Sequence, residues 1–144
     1  MVDSYRIERW KQPYPPNPAA FRYHLGNEGY TVYQWADRAG MTYGPHKHEE
    51  EQSHWVVSGS LELSILNVGV FVLGPGDRDF LPAGTYHSAR VLGDEPVLYL
   101  VGEKQKPVKP QKARRNGPKK KASPKSMEKT KTAKPKKSRK KKTE

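Results

Sequence analysis

Four of the five histidines in this 144-residue sequence lie in two short segments and are the residues best suited to chemistry. His46 and His48 are one residue apart, and in an extended segment, where side chains alternate, this spacing puts both imidazoles on one face. Two such imidazoles are a natural chelate for a first-row divalent metal, and His87 would add a third nitrogen from a neighbouring strand. Because the sequence has no cysteine, thiolate metal sites and Cys nucleophiles are excluded. A metal would therefore be held by His and oxygen ligands.

The spacing around the first pair of histidines resembles the first motif of the cupin superfamily. That motif has Gly, five residues, His-x-His, three or four residues, Glu, six residues and Gly. The spacing is met by Gly40, His46, His48 and Gly59, and Gln52 stands at the Glu position.

The second histidine segment resembles the second cupin motif, which has Gly, five residues, Pro-x-Gly, two residues, His, three residues and Asn. The matching residues are Gly76, Pro82, Gly84 and His87, whereas Val91 replaces the Asn. The two motifs occur in the expected order and at a suitable separation, and the resemblance extends over about residues 28–102.

The resemblance implies an all-β fold, a double-stranded β-helix or cupin jelly-roll barrel. It also implies that His46, His48 and His87 bind a divalent transition metal (Fe, Mn, Ni or Zn) beside a small polar ligand inside the barrel. An enzyme of this type would be a metal-dependent dioxygenase or isomerase, and a non-catalytic ligand-sensing module is the alternative. Since cupins carry out many reactions, the fold does not select one.

Gln52 is the informative departure from the first motif. Its amide carbonyl is a neutral and poorer donor than a carboxylate, so a bound metal would keep its full double charge and bind less tightly. Gln52 is expected either to coordinate the metal directly or to hydrogen-bond to a ligand. A shift of one residue would instead let Glu51 reach the metal, but Gln52 is the residue that keeps the six-residue spacing to Gly59.

His54 shares a strand face with Gln52, because residues two apart point to the same side of a strand. This places His54 inside the barrel, as a fourth metal ligand, as a partner of a ligand, or as a substrate-facing acid or base. In the last role it would be a catalytic proton shuttle.

Short segments rich in β-branched and aromatic residues, separated by Gly, Pro and Asn, indicate many short strands. Such a pattern favours a sandwich or a small barrel. The predicted strands are 29–37, 54–57, 60–65, 68–73, 86–92 and 96–101.

Two segments are expected outside the sheets. Residues 1–27 contain four prolines between positions 13 and 18, which predicts an extended N-terminal arm without regular helix. Asp77, Arg78 and Asp79 follow a Gly-Pro-Gly turn and are expected in a solvated turn.

Residues 103–144 differ sharply in composition from the rest of the sequence. They hold 19 of the 27 Lys and Arg but only three of the 15 acidic residues, for a net charge of +16, whereas residues 1–102 carry −4. Low apolar content and dense like charge predict a disordered Lys/Pro-rich tail. The segment Lys104–Glu144 is expected to bind nucleic acid by counterion release, without sequence specificity, since it contains no aromatic residue to stack on bases. A different interpretation makes the tail the working part and the cupin only a dimerisation body.

The sequence also bounds location and assembly. It has no apolar run of roughly 20 residues, as a membrane span would need, and no signal-peptide pattern. We therefore expect no membrane partner and a cytoplasmic protein, with a nucleoid association if the tail binds DNA. A homodimer is left open.

Overall fold

The computed structural model describes residues 2–105, which form one helix and nine strands. In chain order these are β1 (Arg6–Glu8), α1 (Pro18–Asn27), β2 (Thr31–Asp37), β3 (Thr42–His46), β4 (Glu51–Ser58), β5 (Ser60–Ile65), β6 (Gly69–Leu73), β7 (Arg78–Phe80), β8 (His87–Leu92) and β9 (Val97–Lys104). No helix in this part of the chain is long and apolar enough to cross a membrane.

The strands form two antiparallel sheets. One sheet has the order β1-β7-β4-β9-β2 and the other the order β3-β8-β5-β6. Strands distant in sequence are neighbours in both sheets, as in a jelly roll rather than a simple meander. The predicted all-β double-stranded β-helix is therefore confirmed.

The main hydrophobic core is made of apolar side chains from both sheets. Alternation along β5 produces it most clearly, because Leu61, Leu63 and Ile65 are each at most 3% exposed while the residues between them are only partly buried. Burying a side chain of this size stabilises the fold by about 1.5–3 kcal/mol. The other buried members are Val56, Leu73, Leu81, Val91, Val97, Tyr99 and Val101.

The prediction that residues 1–27 form an extended arm without helix was wrong for α1, which occupies Pro18–Asn27. Pro18 begins this helix, and a proline in the first turn removes only an N–H that would have no helical partner anyway. Asn17 caps the helix, since its side-chain oxygen accepts a hydrogen bond from the Ala20 N–H at 3.0 Å. Phe21 and Leu25 on the helix are buried against Leu100.

The prediction of a solvated turn at residues 77–79 was also wrong for two of its three residues. Arg78 and Asp79 belong to β7, which lies between β1 and β4, and they are 4% and 0% exposed. Both charges can be buried because each has partners. Arg78 donates to Ser53 Oγ and to the Glu28 carboxylate, and Asp79 accepts hydrogen bonds from His54 and Tyr5.

Strand β3 was not predicted, because the sequence Thr-Tyr-Gly-Pro-His contains two residues that are rare in strands. The structure places it at the edge of its sheet, where the missing N–H of Pro45 interrupts no ladder between two neighbours. The register with β8 shifts between Tyr43 and His46, and this irregularity is where Gly44 and Pro45 are accommodated.

Strand β9 extends beyond the predicted end of the barrel. Its last two residues, Glu103 and Lys104, belong to the segment that the composition predicts to be a tail. The pairing of Glu103 with both Gln52 of β4 and Thr31 of β2 gives the extension its backbone partners. The rest of the predicted tail, from residue 106 onward, lies outside the described residues.

Candidate metal centre

Strand pairing brings the three predicted metal-binding histidines together. His46 ends β3 and His87 begins β8, and these two residues face each other in the ladder that joins the strands. His48 follows β3 by two residues. The imidazole centroids are 4.4 Å apart for His46 and His87, 4.7 Å for His46 and His48, and 5.3 Å for His48 and His87. One ligand nitrogen from each residue lies within 4.8 Å of the other two, so the group could hold a metal ion.

Backbone carbonyls orient two of these rings. His46 Nδ1 lies 2.7 Å from the Gly44 carbonyl oxygen, and His87 Nδ1 lies 2.9 Å from that of Thr85. Because a carbonyl can only accept, Nδ1 of each ring carries the proton and Nε2 is left with a free lone pair. A hydrogen bond from the far nitrogen is the usual support of a metal-binding imidazole.

The electrostatics of the site favour neutral imidazoles at His48 and His87. Burial lowers the pKa of His87 to about 4, against the opposing effect of its hydrogen bond to Thr85. Burial also lowers the pKa of His48, and the neighbouring His46 and His54 lower it further. Neutral imidazole is the form that binds a metal ion.

Gln52 lines the same cavity as the three imidazoles and has an unsatisfied side-chain oxygen. The residue is 3% exposed, and its Nε2 donates a 2.8 Å hydrogen bond to the carboxylate of Glu103. Within residues 2–105, Gln52 Oε1 is the buried side-chain polar atom that has no hydrogen-bond partner. A buried carbonyl without a donor is costly unless something else occupies its lone pairs. Three imidazoles with one such oxygen suit a borderline divalent ion such as Mn, Fe, Ni or Zn, so the residues present fit the group that the cupin resemblance implies.

His54 lies on the inward face of β4, two residues from Gln52, as alternation requires. Its Nδ1 is 3.0 Å from Asp79 Oδ1, and its backbone N–H donates to the same carboxylate oxygen at 2.7 Å. Asp79 also accepts a 3.0 Å hydrogen bond from the Tyr5 hydroxyl. Burial acts to lower the pKa of His54, but the charge of Asp79 and the hydrogen bond to it outweigh this effect, so the pKa is raised. His54 is not a member of the three-His group, and its ring centroid is 6.4 Å from that of His87.

These polar side chains line one cavity of about 190 Å³. The lining combines polar side chains with apolar and aromatic ones, and both kinds come from both sheets. Within the described part of the chain, the lining contains one carboxylate, Glu103, and no Lys or Arg. The polar members are His46, His48, Gln52, His54, His87 and Glu103, and the apolar and aromatic members are Trp35, Tyr43, Leu61, Leu63, Ala89, Tyr99 and Val101.

Glu51, the alternative ligand at the Glu position, lies outside this cavity lining. Its carboxylate accepts hydrogen bonds from the Tyr30 hydroxyl at 2.8 Å and from the Val2 N–H at 3.2 Å. Alternation along β4 separates it from Gln52. The six-residue spacing to Gly59 therefore identified the residue that lines the cavity.

Sequence reasoning missed two carboxylates of the site, Asp79 and Glu103. Glu103 could have been found, because Val97, Tyr99 and Val101 alternate inward on β9 and Glu103 is the next residue of that series. Asp79 offered no comparable signal, since the three-residue strand β7 is too short to display a period.

Comparison with known proteins finds a family model that matches the barrel. The model of the family described as Cupin domain matches residues 36–102. Dimethylsulfoniopropionate lyase DddQ of Ruegeria pomeroyi is 35% identical over 72 residues, which are 50% of this chain and 34% of that protein. The chain thus spans about a third of the length of this curated relative.

Solved structures with similar folds include the crystal structure of the same lyase, with a TM-score of 0.49 and 30% identity over 53% of this chain and 38% of the other. A conserved protein with a double-stranded β-helix domain from Klebsiella pneumoniae has a TM-score of 0.48 and 26% identity over 53% and 67% of the two chains. The family match covers both histidine segments and strands of both sheets. Residues 36–102 therefore match the cupin domain.

Proposed function

We propose that the cupin domain is the catalytic domain of a metal-dependent enzyme that moves a proton on a small polar substrate, with His54 as the proton-accepting residue. The observation that carries this proposal is the position of His54, which lines the same cavity as the three imidazoles while a fully buried carboxylate holds its far nitrogen.

The metal would be held by His46, His48 and His87, with Gln52 Oε1 as an oxygen donor. When bound, a divalent ion would polarise an oxygen atom of the substrate and make a neighbouring C–H bond more acidic. The rings of His46 and His87 are already oriented by the backbone carbonyls of Gly44 and Thr85, so little reorganisation is needed for these two to present Nε2.

Asp79 prepares His54 for proton transfer. The carboxylate accepts the Nδ1–H, which leaves the lone pair on Nε2 free to take a proton from a substrate. The negative charge of Asp79 raises the pKa of His54, so the imidazole is a stronger base than it would be without this partner. These features favour the acid–base role of His54 over its alternative role as a fourth metal ligand.

The cavity bounds the substrate. Its volume of about 190 Å³ suits a small substrate. The similarity to a dimethylsulfoniopropionate lyase supports a small carboxylate substrate and an elimination. In such a step His54 takes a proton from the carbon next to the carboxylate, the C–H electrons form a double bond, and the leaving group departs with its bonding electrons. Isomerisation begins with the same proton transfer, so the role of His54 as a base favours elimination and isomerisation over dioxygenation.

The test is turnover by Mn(II)- or Fe(II)-loaded protein in D2O, followed by NMR with dimethylsulfoniopropionate and a panel of small carboxylates. We expect deuterium incorporation or elimination with at least one substrate. His54→Gln should lower kcat by about 100-fold or more, the usual contribution of a general base, without changing the metal content. His24→Gln is the matched control, because His24 is exposed and lies outside the cavity lining.

Two results would contradict the enzyme proposal. One is full activity of His54→Gln. The other is binding of a panel compound with neither exchange nor conversion, which would favour the ligand-sensing module instead. The metal site itself is tested by elemental analysis of protein purified without a His-tag, where His46→Ala/His48→Ala should abolish metal binding.

A second function, carried by composition rather than by geometry, belongs to the C-terminal part of the sequence. We propose that residues 104–144 bind nucleic acid through phosphate contacts, because 19 of the 27 Lys and Arg of the chain lie there. A comparison of DNA binding by the full chain and by a chain ending at Pro107 tests this function.

A further inference from the structure

Glu103 and Gln52 form a polar pair that neither cupin motif anticipates. They are directly opposite each other in the β4–β9 ladder, and Gln52 Nε2 donates to Glu103 Oε2 at 2.8 Å. Both side chains line the cavity that contains the three imidazoles.

This pair determines which end of the Gln52 amide is free. A carboxylate at neutral pH has only acceptors, so the amide must offer its NH2 group to Glu103. The carbonyl oxygen then occupies the other branch of the amide, where it is buried and lacks a hydrogen-bond partner. Without Glu103 the amide could turn over and present a donor to the cavity, which would repel a cation.

We propose that Glu103 is a positioning residue for the metal centre. Glu103 holds the Gln52 amide so that the carbonyl oxygen of Gln52 is available to the ion. It also supplies a negative charge from behind Gln52, in place of the charge that a Glu at position 52 would bring directly to the ion. This inference rests on the proposed metal site of His46, His48 and His87.

The charge argument explains how a neutral ligand is tolerated. A divalent ion near three neutral imidazoles and an amide carries two uncompensated charges, and Glu103 is the one carboxylate of the cavity lining within the described residues. Groups that orient and polarise a ligand from behind typically change metal affinity by about 10–100-fold when they are removed.

The experiment measures the Mn(II) dissociation constant of the full-length protein by titration, with free Mn(II) followed by electron paramagnetic resonance. Glu103→Gln should raise the dissociation constant about tenfold or more, because the charge is lost and the amide orientation is no longer imposed. Glu50→Gln is the matched control. It removes one nearby negative charge that acts on His48 but has no contact with Gln52, and it should change the constant by less than about twofold because water and salt screen it.

A double exchange separates positioning from simple packing. Gln52→Glu alone puts two carboxylates side by side and should lower the Tm of the metal-free protein while tightening Mn(II) binding. In Gln52→Glu/Glu103→Gln the new Gln can donate to the new Glu, so the Tm should recover and Mn(II) should bind at least as tightly as in the wild type.

Two outcomes overturn the inference while leaving the metal site intact. One is a Glu103→Gln variant that keeps the wild-type dissociation constant for Mn(II). The other is a double variant whose changes in Tm and in Mn(II) affinity equal the sums of the changes in the two single variants. If Glu103→Gln does not fold, Glu103→Asp replaces it. That variant keeps the charge, withdraws the acceptor by one methylene and should bind Mn(II) more weakly than the wild type, and an unchanged constant would overturn the inference. If the wild type itself binds no metal, the proposed site is wrong and this inference falls with it.

Discussion

Arg78 shows at the scale of single residues how this small barrel buries a charge. Its guanidinium carbon lies 4.5 Å from the ring centroid of Trp55 and 4.3 Å from that of Phe80, and the guanidinium donates to Ser53 Oγ at 2.7 Å. The remaining donors face Glu28. Flat apolar surfaces and acceptors together replace the water that a buried guanidinium loses, which suits Arg better than Lys.

The Arg78–Glu28 pair makes stability depend on pH. The hydrogen bond from Arg78 lowers the pKa of Glu28 below its ordinary value of 4.5, against the raising effect of partial burial. A carboxyl with a lowered folded-state pKa stabilises the protein above pH 4.5, and this contribution is lost as the pH falls through the folded-state value. We expect Glu28→Gln to lower the free energy of unfolding at pH 7 by about 1 kcal/mol. This is less than the roughly 3–5 kcal/mol of a fully buried pair, because the Glu28 side chain is 44% exposed.

Urea unfolding at pH 7 and at successively lower pH checks this prediction. The difference between Glu28→Gln and wild type should shrink as the pH falls below 4.5 and disappear once Glu28 is protonated in the folded state as well. Glu8→Gln is the control, because both side chains of its pair with Arg6 are more than half exposed. A constant difference across the whole pH range would contradict the ion-pair explanation.

Helix α1 shows at the scale of elements why proline content alone misleads. Proline is disfavoured inside a helix but tolerated in its first turn, and the residue before the proline distinguishes the two cases. Asn17 provides both the extended backbone and the side-chain acceptor that start a helix. The helix then covers Trp55 on the outer side of the five-stranded sheet, with the Phe21 ring stacked on it at 3.9 Å.

We expect Asn17→Ala to lower the free energy of unfolding by about 1 kcal/mol, since the Ala20 N–H loses its acceptor. Asn17→Ser should stay close to wild type, because Ser caps a helix about as well as Asn. Thermal or urea unfolding of the three proteins measures this effect. Equal loss in both variants would show that the Asn17 side chain acts by something other than capping.

At the scale of the whole molecule, charge and site are separated along the chain. Every side chain proposed for the metal centre, and both hydrophobic clusters, lie within residues 2–105. The excess positive charge lies almost entirely after residue 105. The predicted small polar ligand, nucleic acid and homodimer remain predictions.

A chain ending at Pro107 should therefore lose DNA binding and keep Mn(II) binding. Gel shifts of the full chain across a salt series should show affinity falling by several orders of magnitude between roughly 50 and 200 mM salt, if about six to ten phosphates are contacted. Equal DNA affinity of the two proteins would exclude the tail as the binding segment.

The sequence by itself determined the many short strands and the placement of His46 and His48 on one strand face, because alternation along a strand and the turns that bound it are set by neighbouring residues. The resemblance of the two histidine motifs to those of cupins implied the barrel, the grouping with His87 and the departure at Gln52. The same local logic could have assigned Glu103 to the inward series of β9. The Lys-rich sequence that follows Glu103 obscured this assignment, because its charge pattern favoured a tail.

Only the tertiary structure decided which charges serve the site. Asp79 is 25 residues from His54 in sequence, and Tyr5 is 74 residues from Asp79, yet hydrogen bonds join all three. Such a network is created by the pairing of β7 with β4 and β1, which no local period encodes. Burial then gives these contacts their effect, because a carboxylate shielded from water acts on its partners with little screening.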